Sequence, residues 1–103
     1  MSSAPVGVSV TDQGTTATVT ATGELDLTTQ PELADSLPHV QPGGRLVLDF
    51  RGLTFIDSTG VKAIITSRQL CADHGQEFCL IRAAGHVHRI FEVTGLDKRL
   101  PFA

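Results

Sequence analysis

Leu53-Thr54-Phe55-Ile56-Asp57-Ser58-Thr59-Gly60-Val61 joins two different hydrophobic patterns, and its place between them decides the fold. Before it, Leu46-Val47-Leu48 is a short continuous apolar run, as expected of a strand covered on both faces. A loop is expected from Asp49 through Gly52 to Phe55 and Ile56. After it, Val61, Ile64, Ile65, Cys71 and Ala72 fall on the inner side of a helix expected from about Ser58 to His74. Gly75 ends that helix in the C′ position. Asp57-Ser58-Thr59-Gly60 thus opens the longest helix of the chain. A helix start offers unpaired N–H groups and about half a positive charge from the macrodipole, so a phosphate placed there is favoured. Either Asp57 or Ser58 is suited to cap the helix, with Thr59 in support, a role worth about 1 kcal/mol. Gly60 is expected to leave the start open, so that a partner's active site can reach the Ser58 hydroxyl.

Toward the N-terminus, Val6, Val8 and Val10 alternate with small or polar residues, the period of a half-buried strand. Asp12-Gln13-Gly14 supplies turn chemistry. Ala17, Val19 and Ala21 then alternate with Thr16, Thr18, Thr20 and Thr22, which predicts a hairpin with one threonine-rich face toward water. Gly23-Glu24-Leu25-Asp26 leads into a short helix, with Thr29 and Glu32 at capping-box spacing and Pro31 in the first turn. Leu33 and Leu37 face the core; Pro38, Pro42 and Gly43-Gly44 close that helix. Toward the C-terminus, Phe78 to Ile81 is expected to be a buried strand. Val87, Ile90 and Phe91 mark a short helix stopped by Gly95, and Leu100 to Phe102 is placed to add a last strand. The class is α/β: a single domain over residues 1–103, a mixed β-sheet with an N-terminal hairpin, and helices packed against the sheet.

Composition narrows the function. In 103 residues, 41% are apolar and none is Trp or Tyr, a palette for an aliphatic core and a poor one for stacking bases or gripping sugars. The formal charge is −3, and Arg82, Arg89, Lys98 and Arg99 sit beside acidic residues, so the basic patch of a nucleic-acid binder is lacking. No stretch resembles a signal peptide, and no apolar run nears the roughly 20 residues of a membrane span; a cytoplasmic protein is expected. Cys71 and Cys79 are then best read as small buried hydrophobes. A disulfide between them would require Cα atoms within about 7 Å. Ile56 stands where a Gly-x-Ser-x-Gly nucleophile elbow around Ser58 would need Gly, which argues against a hydrolase. Asp57-Ser58-Thr59-Gly60 is similar to the aspartic-protease loop but has one residue too many, in a pattern that is not all-β. His86 and His88, with His74 or Cys71, form an incomplete ligand set, and surface or helix-end histidines are expected. No catalytic residue, cofactor or metal is therefore assigned.

The order of motifs resembles the STAS domain of bacterial anti-sigma factor antagonists. Gly23-Glu24-Leu25-Asp26, Leu46-Val47-Leu48-Asp49-Phe50, Phe55-Ile56-Asp57-Ser58-Thr59-Gly60-Val61 and Ile90-Phe91-Glu92-Val93-Thr94-Gly95-Leu96 follow one another as in that family, across almost the whole chain. The resemblance implies partner switching. The unphosphorylated form binds a serine-kinase anti-sigma factor and frees the sigma factor; phosphorylation of the Ser after the Asp, here Ser58, switches binding off; a PP2C-type phosphatase resets it. It also implies that Asp57, Thr59 and Gly60 lie at the kinase interface with Asp26 nearby, and it makes Ser58 a phosphorylation site. Two departures stand out. Lys62 occupies a position where many relatives carry Gly or a small residue, and it is free to meet solvent, phosphate or partner. The amphipathic helix that usually ends the family has no counterpart before Ala103. Within the same fold, a docking subunit of a lipid-transport ATPase or another transporter complex is the rival reading, in which Ser58 is not phosphorylated.

Overall fold

The computed structural model describes residues 7–13, 15–36 and 43–102, so the expectations for Val6, Gly14, Leu37, Pro38 and Pro42 lie outside the described residues. Strands β1 (Gly7–Gln13) and β2 (Thr16–Leu25) form the expected antiparallel hairpin, with Gly7 opposite Thr22 and Gln13 opposite Thr16. In β2, Ala17, Val19 and Ala21 are buried while Thr16, Thr18 and Thr20 are half-exposed, as side-chain alternation along a strand requires. Strand β3 (Arg45–Ile56) pairs parallel with β2, and β4 (Glu77–Ile81) pairs parallel with β3, giving the order β1-β2-β3-β4. Parallel neighbours need crossover connections. Helix α1 (Gln30–Ser36) lies in the first and α2 (Ser58–Asp73) in the second.

The segment expected to be a loop, Asp49 to Ile56, is strand throughout. Two register shifts explain the difference: Thr20 and Thr22 face Asp49 and Gly52, and Gly23 and Glu24 face Leu53 and Phe55. Each places an extra residue in β3, and such bulges break the two-residue period. Leu46, Leu48 and Phe50 point into the core two apart; Leu53 and Ile56 do so three apart. Val47 is half-buried, so β3 is fully covered on one face only, not on both.

On α2, Val61, Ile64, Ser67 and Cys71 make the buried stripe. The Ser67 hydroxyl donates to the Ala63 carbonyl at 2.8 Å, which satisfies it inside the stripe. Ile65 is 43% exposed and Ala72 is also exposed, contrary to the expected inner face. A step of one residue turns a side chain by about 100°, which carries Ile65 off the narrow stripe that Ile64 occupies. Gly75, at φ 66°, closes α2, and the Gln76 N–H returns to the Cys71 carbonyl at 2.8 Å.

Cys71 belongs to the core cluster, as does Leu80. Cys79 therefore points to the opposite face of β4, and both cysteines are free thiols. Burial pushes the Cys71 thiol above its ordinary pKa. Helix α3 (Gly85–Val93) buries Val87 and Phe91 and also His88, which is not the surface residue expected. The His88 ring lies 5.6 Å from the ring of Phe91 and 4.8 Å from that of Phe102. The final strand expected at Leu100 to Phe102 reduces to one parallel bridge between Leu80 and Phe102. Among the described residues, no helix is long and apolar enough to cross a membrane.

Candidate functional site at the start of the central helix

Asp57 leaves β3 in an extended conformation, φ −114° and ψ −175°, and caps α2. Its Oδ1 accepts from the Gly60 N–H at 3.0 Å, and its carbonyl accepts from the Val61 N–H at 3.0 Å. Its Oδ2 accepts from the Leu27 N–H at 3.3 Å, while its own N–H donates to the Leu25 carbonyl at 3.2 Å. Asp57 is thus the cap that the sequence left undecided between two residues. It also binds the helix start to the loop that follows β2. Ser58 is left exposed on the first residue of α2, and its hydroxyl has no hydrogen-bond partner among the described residues.

Thr59, the neighbouring hydroxyl, is half-buried. With Lys62 and Ala63 it lines a groove of about 300 Å³ whose other wall is Gln30 and Leu33 of α1. Lys62 is exposed, one turn along from Ser58. Gly60 is buried, and its missing Cβ serves packing instead of openness. A Cβ there would meet Ile56 Cγ1 at 2.7 Å and the Leu25 carbonyl oxygen at 2.9 Å. The access to Ser58 comes from the exposure of Ser58 itself.

Asp26 is 9% exposed. Its Oδ1 accepts from the N–H groups of Thr28 and Thr29, both at 3.0 Å, so the carboxylate shapes the loop between β2 and α1. The Thr29 hydroxyl turns back to the Glu24 carbonyl and the Asp26 carboxylate. The Glu32 N–H meets the Thr29 carbonyl at 3.0 Å, so the hydroxyl does not make the expected capping box. Sequence reasoning missed Leu27, which is 73% exposed on this loop beside Asp57. Its only signal was an apolar residue next to Gly23-Glu24-Leu25-Asp26. Among the described residues, no group of three His, Cys, Asp or Glu could hold a metal ion.

A hairpin continued into a parallel sheet, with a capped helix presenting a serine at its first residue, defines a STAS-type regulatory domain. The family model described as "Mlab, STAS domain" matches residues 8–101. The anti-sigma-B factor antagonist of Staphylococcus aureus (strain NCTC 8325 / PS 47) is 32% identical over 76 residues, 72% of this chain and 70% of that protein. That of Listeria monocytogenes serovar 1/2a is 29% identical over 77 residues, 73% of this chain and 68% of that protein. The crystal structure of an anti-sigma factor antagonist from Mycobacterium paratuberculosis superposes with a TM-score of 0.75 at 30% identity, covering 97% of this chain and 88% of that one. The chain belongs to the STAS-domain family of anti-sigma factor antagonists. That membership makes it a regulatory module, not an enzyme.

Proposed function

We propose that the unphosphorylated chain binds a serine-kinase anti-sigma factor, and that phosphorylation of Ser58 by this partner ends the complex. A PP2C-type phosphatase then restores the binding form. The observation that carries this reading is the contrast between two adjacent hydroxyls. Ser58 is exposed at the first residue of α2, whereas Thr59 is half-buried in the groove wall. A kinase reaching the helix start meets Ser58 first. The hydrogen bond from the Leu27 N–H to the Asp57 carboxylate holds the loop that carries the exposed Leu27 against the helix start that carries Ser58. An exposed leucine beside a neutral hydroxyl suits a partner that binds before the phosphate is added. A phosphate brings about −1.5 to −2 charges next to Asp57 and opposes an interface formed without them.

Incubation of the chain with candidate serine-kinase anti-sigma factors and ATP tests the proposal. Intact mass should rise by one phosphate, and peptide mapping should place it on Ser58. Phosphate on Thr59 instead would refute the assignment.

A further inference from the structure

Lys62 stands one helical turn after Ser58 on α2, and residues at this spacing are neighbours on a helix surface. Both are exposed, and the Lys62 ammonium has no ion-pair partner among the described residues. The nearby carboxylates are already engaged. Asp57 accepts the Gly60 and Leu27 N–H groups, and Asp26 accepts those of Thr28 and Thr29. From α1, the residue that lines the groove beside Lys62 with a polar side chain is Gln30, which carries no charge. The order along the chain also matters. An anion four residues before a lysine is the favourable order for such a pair, and an anion on the first residue of α2 also meets the positive end of the helix dipole.

We infer that Lys62 is the internal counter-ion of phosphorylated Ser58, holding the phosphate along α2. This rests on the reading of Ser58 as the phosphoacceptor. In the unmodified chain Lys62 is an uncommitted cation on the rim of the groove; after phosphorylation it forms a pair with the new dianion. The charge added by the kinase is then carried as a fixed feature of the helix surface, and α2 needs no rearrangement to keep it. Lys62 acts here as a positioning residue: it touches the phosphate, not the partner's reacting atoms.

The test uses the full chain with phosphoserine installed at position 58 during translation, so that no kinase is needed. The phosphate is titrated by phosphorus NMR in three versions: otherwise unchanged, Lys62→Gln and Lys62→Arg. Removing the cation in Lys62→Gln should raise the midpoint by about 0.3 pH units or more, the scale of a surface pair at this spacing. Lys62→Arg should keep the original midpoint, and the difference should shrink at about 1 M salt, where screening acts within about 3 Å. Superimposable curves for the unchanged and Lys62→Gln chains overturn the inference, as does an Arg variant that behaves like Gln. Failure of the switch itself reads out separately. In that case the phosphorylated chain would bind the anti-sigma kinase as tightly as the unmodified one, whatever the NMR midpoints.

Discussion

A Cβ on Gly60 would lie 2.7 Å from Ile56 Cγ1, 3.1 Å from Leu25 Cγ and 2.9 Å from the Leu25 carbonyl oxygen. A side chain can rotate away from such a contact, but a backbone oxygen in a paired strand cannot move cheaply. Gly60→Ala is therefore expected to cost about 1–3 kcal/mol in urea denaturation, as overpacking does. Asp57→Ala removes the acceptor of the Gly60 and Leu27 N–H groups, and a loss of about 1–2 kcal/mol is expected in the same measurement. A loss under about 0.3 kcal/mol would mean that water replaces the cap at no cost. The site was legible as a motif, but not its division of labour. Asp and Ser cap helices about equally well, so local sequence could not choose between Asp57 and Ser58. The choice is made by Leu27, 30 residues away, whose N–H gives the Asp57 carboxylate a second partner. Gly60 was misread for a related reason: a missing Cβ means openness or close packing depending on neighbours that sequence does not place.

Among elements, the hairpin and the ends of α2 follow from local chemistry, and structure and sequence agree on them. Two of the differences, the extent of β3 and the inner face of α2, come from geometry that one strand or helix does not encode alone. In β3 the bulges arise from pairing with β2, so the change from two-residue to three-residue spacing at Leu53 and Ile56 looked like a loop. On α2 the apolar Ile64-Ile65 pair offers two possible faces, and packing against the sheet selects Ile64. Ile64 is 0% exposed, so Ile64→Ala should cost about 2–5 kcal/mol. The matched Ile65→Ala change should stay under about 1 kcal/mol, since partial exposure leaves less apolar area to lose. Equal losses in thermal or urea unfolding would contradict this helix phase. Strand β3 also carries a pH dependence. The Arg51 guanidinium donates to the buried Asp49 carboxylate, Nη2 to Oδ2 at 2.7 Å and Nε to Oδ1 at 3.1 Å. These hydrogen bonds hold the Asp49 pKa below its ordinary value against the opposing effect of desolvation. A depressed carboxylate contributes stability that is complete above its unfolded pKa of about 4 and is lost as pH falls through the folded value. The stability gap between the natural chain and Asp49→Asn should thus be constant near neutrality and close on acidification below about pH 4. A gap that widens in acid would reverse the assignment.

For the whole molecule, the question is whether a change at one exposed hydroxyl alters association without altering the fold. Since Asp57 caps α2 and the Ser58 hydroxyl bonds to no described residue, neither Ser58→Ala nor Ser58→Asp removes a side-chain hydrogen bond. Both variants should unfold within about 0.5 kcal/mol of the natural chain, the range of surface substitutions. Their binding should diverge. Ser58→Ala keeps a neutral surface beside Asp57, so it should hold the anti-sigma kinase and resist inactivation by ATP. Ser58→Asp adds a carboxylate next to the carboxylate of Asp57, and an interface built around a neutral hydroxyl must then desolvate that added charge. The aspartate is shorter than phosphoserine and carries one charge fewer, so its effect should fall short of full dissociation. A weakening of about tenfold, about 1.4 kcal/mol, is a reasonable scale for one unfavourable charge at a partly wet interface. Titration calorimetry of the two variants against one kinase measures the difference directly. Equal affinities would reduce Ser58 to an ordinary first residue of a helix. The surface formed by Leu27, Asp57 and Ser58 would then belong to docking, as in a STAS subunit of a transporter complex, and the phosphate would have no part in controlling it.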